Sequence, residues 1–339
     1  MRKHGIGSMI VFTIAVLCLF TVAIGTVLAE TGTNKGTVPS VGTVLLPLQG
    51  SRTVPLPRTV PLPHSIPTAA APLATLQCKY YNKNDFMNSV LNAGQNQSEP
   101  TPVISASGSI AGGIVPHHLL AGNMIAAFFQ ALSQNSPETL VVIAPNHRRT
   151  GLNGLHTSMQ NWGTAFGILE ADTMLTGKFI KDLKASQNTS LMEEEHSISS
   201  LVPYIKYYLP KAKIVPVLLH GNYSAEASQK LGEQLAEALS DNPRIVVIAS
   251  VDFSHYLDAA AADKMDEETL AAIKSNDVQA LSRMGNDNLD SPPSIITLLS
   301  VMEALEAAVP EVTGHGNSSD ITGSGADYTT SYYTMLFRR

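Results

Sequence analysis

The chain has 339 residues, 44% hydrophobic and 15% charged, with a formal net charge of −6. This composition supports one or two domains with a real core and excludes disorder over most of the length. The acidic balance, with no Lys/Arg block beyond the extreme N-terminus, excludes nucleic-acid binding driven by phosphate contacts.

Arg2, Lys3 and His4 precede an apolar run from about Ile10 to Leu28, and Val27-Leu28-Ala29 resembles a signal-peptidase site. Residues 1–29 are thus expected to be a signal peptide or membrane anchor that carries the rest to the cell envelope, the run being nearly long enough to span a bilayer. Cys18 lies in this run, so a processed chain keeps only Cys78, which excludes an intrachain disulfide and a Cys-based zinc site. Residues 30–77 read as a Pro/Thr-rich linker, in which Arg52-Thr53-Val54-Pro55-Leu56-Pro57 repeats at once as Arg58-Thr59-Val60-Pro61-Leu62-Pro63. Prolines at that density fix φ and remove donors, so an extended tether is expected. His64 falls within it.

Folded sequence is expected over residues 78–339. Asp85 can cap a first helix through Phe86, Val90 and Leu91. Candidate strands then follow at 112–115, 139–144, 166–169, 213–219, 244–251 and 331–337. Candidate helices lie at 119–133, 171–185, 197–208, 225–239, 258–275 and 294–308. Runs such as Val141-Val142-Ile143 and Ile245-Val246-Val247-Ile248 are apolar throughout, as strands buried on both faces are. The alternation predicts one α/β domain with a mixed or largely parallel sheet flanked by helices.

In such sheets, sites form where strands end. Gly112-Gly113-Ile114-Val115-Pro116-His117-His118 and Val141-Val142-Ile143-Ala144-Pro145-Asn146-His147 both run strand, proline, histidine. Val247-Ile248-Ala249-Ser250-Val251-Asp252-Phe253-Ser254-His255 delivers an acid and then a histidine. A single histidine after a strand is more often a structural hydrogen-bonder. The repeated pattern makes His117 and His147 metal-ligand candidates for iron first, with copper or zinc as alternatives. His118 is either a further ligand or an exposed neighbour. His196, His255 and Asp252 read as groups that serve acid/base or supporting roles. Glu193 to Glu195 sit at an expected helix start, where Glu193 and Glu194 suit a solvated turn. Gly314-His315-Gly316-Asn317-Ser318-Ser319-Asp320 reads as a polar loop before the last strand. His156 and His220 carry no supporting pattern and read as structural.

These motifs resemble, in order, those of the Memo family, which includes AmmeMemoRadiSam system protein B. Tyr80-Tyr81-Asn82-Lys83-Asn84-Asp85, Val115-Pro116-His117, Ala144-Pro145-Asn146-His147, Glu195-His196-Ser197-Ile198, Asp252-Phe253-Ser254-His255-Tyr256 and Asn317-Ser318-Ser319-Asp320 carry the likeness, from about Lys79 onward. The resemblance implies a fold related to class III extradiol dioxygenases, metal on His117 and His147, and Asp252 and His255 in the same pocket. His118-Leu119-Leu120 departs from the family's Ala-Gly-Tyr, and Ser199-Ser200-Leu201 from its Glu-Val-Gln. A late ligating cysteine of some members is missing, with Ile321 at the expected place. The third ligand is then expected among His118, Asp320, His255, His315 or water.

Two classes of function remain open at this level. One is a non-haem iron oxidoreductase of extradiol type, with His196 or His255 as acid/base. The other is a non-catalytic module on the cell surface that binds metal, a small molecule or a peptide. Metal-assisted hydrolysis ranks below both, because only Glu195 offers itself as a general base.

Overall fold

A computed structural model describes residues 75–95, 108–151, 153–240, 242–325 and 328–339. The expected targeting segment and nearly all of the expected linker, with His4, Cys18 and His64, lie outside them. Among the described residues, no helix is long and apolar enough to cross a membrane.

The strands in chain order are β1 (Thr75–Gln77), β2 (Ile110–Val115), β3 (Thr139–Asn146), β4 (Leu155–Thr157), β5 (Asn161–Thr164), β6 (Gly167–Leu169), β7 (Ser186–Gln187), β8 (Lys213–His220), β9 (Ile245–Ser250), β10 (His255–Leu257), β11 (Pro310–Asn317) and β12 (Thr329–Arg338). The helices are α1 (Lys83–Leu91), α2 (Gly122–Ser133), α3 (Thr173–Asp182), α4 (Thr189–Glu194), α5 (His196–Ser199), α6 (Val202–Tyr208), α7 (Ala225–Leu239), α8 (Ala259–Lys274), α9 (Val278–Leu281), α10 (Pro292–Ala304) and α11 (Ser318–Thr322).

The main sheet runs β10-β12-β2-β9-β3-β8-β4-β7, with β11 paired to β12. Its centre, β2-β9-β3-β8, is parallel. The strands that flank this centre, β12 beside β2 and β4 beside β8, run antiparallel to it. The expected mixed α/β architecture is therefore present. Because side chains alternate along a strand, Val141 and Ile143 pack with Leu231, Leu235 and Ile295 of α7 and α10. Leu140, Val142 and Ala144 pack with Ile125, Phe129, Tyr204 and Ile205 of α2 and α6 on the other face. Burial of each large apolar side chain contributes about 1.5–3 kcal/mol. The sheet is thus held from both faces, and its strand ends can carry polar groups.

Gly112 and Gly113 show why β2 tolerates no side chain there. A Cβ on Gly112 would lie 2.7 Å from Met302 Sδ, and one on Gly113 would lie 2.6 Å from the Phe128 ring. The absence of a side chain lets helices close on both faces of the strand that carries His117.

Several boundaries differ from the sequence reading. Asn82, not Asp85, caps α1 and accepts from the N–H groups of Asn84 and Asp85. The segment expected as one helix over 197–208 is two, α5 and α6, because Pro203 in the first turn of α6 cannot donate back to Ser199. Glu193 and Glu194 end α4 rather than start a helix. The expected loop over 314–320 is mostly strand: Gly314, His315 and Gly316 pair with Thr334, Tyr333 and Tyr332. Thr75–Gln77, assigned to the linker, forms a strand parallel to Asn161–Gly163, with Leu76 buried.

Candidate metal centre

β2, β9 and β3 lie side by side and parallel, so their C-terminal ends open on one edge. β2 delivers His117, β3 delivers His147, and Asp252 follows β9. The break between α4 and α5 brings Glu195 and His196 to the same edge. The loop ahead of α10 brings Asp290, which directly precedes the Ser291 cap.

His117 is buried and its ring is fixed. Ser250 donates its hydroxyl proton to the carbonyl of Ser197 at 2.6 Å, so it can only accept at its 3.1 Å contact with His117 Nδ1. His117 therefore carries its proton on Nδ1 and turns Nε2 to the edge. The same logic fixes His147. Its Nδ1 lies 2.9 Å from Glu195 Oε1, and its backbone N–H donates to Glu195 Oε2 at 2.8 Å. Glu195 is fully buried and also accepts from the Ser197 N–H at 3.1 Å.

Both Nε2 atoms converge on one carboxylate oxygen. Asp290 Oδ2 lies 3.2 Å from His117 Nε2 and 3.3 Å from His147 Nε2. Its other oxygen, Oδ1, is buried with no hydrogen-bond partner. Asp252 Oδ2 stands 3.5 Å from His117 Nε2. With neutral rings these atoms are all acceptors, and such a set holds together only around a cation, either protons or a metal ion. Donor atoms of His117, Asp252 and Asp290 lie within 4.8 Å of one another, and so do those of His117, His147 and His196. Spacings near 3 Å between donors suit a single ion with ligands at about 2.0–2.2 Å.

The charges follow from the same contacts. Burial opposes protonation of His147, but Asp290 and Glu195 outweigh it and push its pKa up to about 10. Burial likewise works against charge on His117, yet Asp252 and Asp290 leave it raised. Burial acts to raise the pKa values of Asp290 and Glu195, but the imidazoles hold both well below the usual carboxylate range.

The remaining predicted residues divide. His196 stacks on His147 with ring centroids 4.5 Å apart and places Nδ1 3.2 Å from Glu195 Oε1. Asp252 does more than line the pocket: Oδ1 accepts from the His117 N–H at 3.0 Å, and its carbonyl accepts from the Asp290 N–H at 3.1 Å. It ties the β2 loop to the Asp290 loop. The four residues expected to complete the ligand set are held by other contacts. His118 turns Nδ1 to Tyr332 Oη at 2.7 Å. His255 sits on β10, opposite Thr330 of β12. His315 bonds Asp266 at 2.8 Å, and Asp320 accepts from Asn317 at 2.9 Å. Ile321, expected at the missing cysteine's place, packs beside Ala121, Met124 and Tyr332. Asp290, which sequence reasoning missed, is the carboxylate that stands beside both Nε2 atoms. Its signal was Leu289-Asp290-Ser291-Pro292-Pro293, an acid just ahead of a proline-marked helix start.

Two cavities flank the centre. One of about 640 Å³ is lined by Tyr80, Tyr204, Asn123, Leu119 and Leu120, the last two standing where the Memo pattern has Gly-Tyr. Tyr80 also contacts the His196 ring, with centroids 5.9 Å apart. A second, of about 360 Å³, includes Asp290 itself, with Arg149, Tyr223 and Asn286.

Comparison with known proteins bears out the family resemblance. The model of the family described as Memo-like protein matches residues 75–336. A MEMO1 family protein of Pyrobaculum aerophilum is 28% identical over 240 residues, covering 68% of this chain and 85% of its own length. One from Methanopyrus kandleri is 28% identical over 251 residues, covering 68% and 84%. A crystal structure of an uncharacterized Escherichia coli K12 protein aligns with a TM-score of 0.45 and 15% identity, over 66% of this chain and 99% of that one.

Proposed function

The chain belongs to the Memo-like protein family, and on that footing we propose that it is a metal-dependent oxidoreductase of extradiol type, with iron held by His117, His147 and Asp290. The observation that carries this reading is the convergence of two Nε2 lone pairs on Asp290 Oδ2, at 3.2 and 3.3 Å. Two imidazoles and one carboxylate on one side of an ion are the donor set of facial non-haem iron sites. The unpartnered Asp290 Oδ1 fits the same assignment. When bound, the iron supplies Lewis acidity and redox chemistry at open coordination positions.

The chain's own residues do the rest. Ser250 and Glu195 hold the rings so that Nε2 faces the ion, which preserves the tautomers and ring planes. Asp252 fixes the two ligand loops against each other. His196, with 43% of its side chain exposed, keeps one nitrogen on Glu195 and offers the other to a small-molecule substrate as acid or base. The basic start and apolar run of residues 2–28 support a setting in the cell envelope.

The test is metal content of the full chain by elemental mass spectrometry, beside a His117→Ala/His147→Ala variant, followed by O₂ uptake with aromatic diols. Near-stoichiometric iron lost in the variant, with diol-dependent uptake, is the expected result. Bound metal without uptake on any diol would replace the oxidoreductase with a binding module. Absence of metal after anaerobic reconstitution would overturn the centre itself.

A further inference from the structure

The cavity of about 360 Å³ shares a wall with the proposed centre, because Asp290 lines it and also faces both imidazoles. Its other polar walls include Arg149, Asn222, Ser224 and Asn286. The Asp290 carboxylate turns Oδ2 away to the two imidazoles, at 3.2 and 3.3 Å. Arg149 is the cation of the lining, and its guanidinium has no carboxylate within salt-bridge distance among the described residues. Arg148, its neighbour, is by contrast engaged with Glu194.

The backbone holds Arg149 at this place. It sits in the left-handed region at φ 49°, which a bulky side chain adopts only under outside constraint. Its N–H donates to the Asn146 carbonyl at 3.2 Å, and its own carbonyl contacts His220 Nε2 at 3.3 Å. Asn146 also reaches across to the Thr150 carbonyl at 2.8 Å. The loop that ends β3 with His147 therefore fixes Arg149 two residues later. The first turn of α7, capped by Ser224, faces the same cavity with its positive end.

We propose that this cavity is an anion subsite: the substrate carries an acidic group, a carboxylate or phosphate, that Arg149 holds while its other end reaches the metal. The placement of that other end rests on the metal-centre reading; the anion site does not. Arg149 offers a bidentate fork suited to either acid, and the cavity has room for such a group on a small organic body.

Two arms test it on the full chain. In the first, catechol and 3,4-dihydroxyphenylacetate are titrated against the iron-loaded protein. The acid-bearing probe is expected to bind about 10- to 100-fold tighter. Arg149→Ala should erase that advantage, Arg149→Lys should keep part of it, and neither should change metal content. Equal binding of the two probes, or an equal loss of both in Arg149→Ala, would overturn the proposal. In the second arm, phenyl phosphate is titrated against metal-free protein with both histidines intact, with and without Arg149→Ala. Saturable binding that weakens with salt and is lost with Arg149 upholds the subsite even where the metal reading fails. Lack of binding, or binding indifferent to Arg149, sinks the subsite even where the metal reading stands.

Discussion

Asp266 and Asp290 each meet histidine, and they differ in what their surroundings still require. Asp266, on α8, is satisfied. Its Oδ1 accepts from the hydroxyls of Ser254 and Ser331 at 2.6 Å each, and its Oδ2 contacts His315 Nε2 at 2.8 Å. His315 in turn stacks on Tyr333 with centroids 4.2 Å apart. Among the described residues Asp290 has no hydroxyl donor and one oxygen without a partner, and with neutral rings the two Nε2 atoms beside it carry no proton. One cluster ties β10, β12, β11 and α8 together. The other is a set of acceptors that needs a cation. The presence of a histidine does not separate them; the proton inventory of the neighbours does.

The sharpest way to break this contrast is to remove donors from each side in turn. Losing two of the three, as in His117→Ala/Asp290→Ala, should abolish metal binding, read by elemental mass spectrometry. His315→Ala, His118→Ala and Asp320→Ala should retain near-wild-type metal content. Metal loss in His315→Ala would show that the two clusters had been assigned the wrong way round.

Asp266→Ala comes next. It leaves two buried hydroxyls and an imidazole without their acceptor, at a cost of about 3 kcal/mol in denaturant unfolding with metal content unchanged. A stability change below about 0.5 kcal/mol would mean that the network is not structural.

A smaller effect is expected from Glu195→Gln. The carboxamide can still accept from the His147 ring but loses the charge that orients it, so metal affinity should fall about 10- to 100-fold while stoichiometry at saturating metal is kept. Unchanged affinity would remove Glu195 from the supporting set.

The smallest is a dependence on pH. In metal-free protein His147 is raised to about 10, well above an unfolded histidine near 6.5. Its protonation therefore stabilises the fold fully below about pH 6.5, and this contribution fades as pH rises through about 10, with a slope of at most about 1.4 kcal/mol per pH unit. Metal on Nε2 displaces that proton, so the loaded protein should lack the decline and metal should bind more tightly as pH rises. Thermal melts of both forms between pH 6 and 10 check this; parallel curves would show that His147 does not face the ion.

Much of this was legible in the chain. The uniformly apolar runs at 141–143 and 245–248 became the buried parallel strands β3 and β9, and the 3.6-residue pattern placed α7 at its observed bounds, Ala225–Leu239. The two strand-proline-histidine motifs do meet at one edge. Less legible was everything that depends on pairing. The glycine-rich 314–316 segment read as a loop because Gly lowers strand propensity, yet β12 supplies a ladder that outweighs it. Pro203 was visible and marks the break between α5 and α6, but Glu195 and His196 reach the site through the break between α4 and α5, which no proline marks.

The sequence by itself determined the α/β class, the family and the two imidazoles, because periodicity and strand-end motifs are local and survive in a one-dimensional pattern. Only the tertiary structure decided the carboxylate between the two imidazoles, the fixed tautomers and the arginine in the neighbouring cavity. Asp290 lies 143 residues from His147, and Ser250 lies 133 from His117. Such partners are chosen by how parallel strands order themselves and where the loops between them return. That is a property of the folded sheet, which no spacing along the chain encodes.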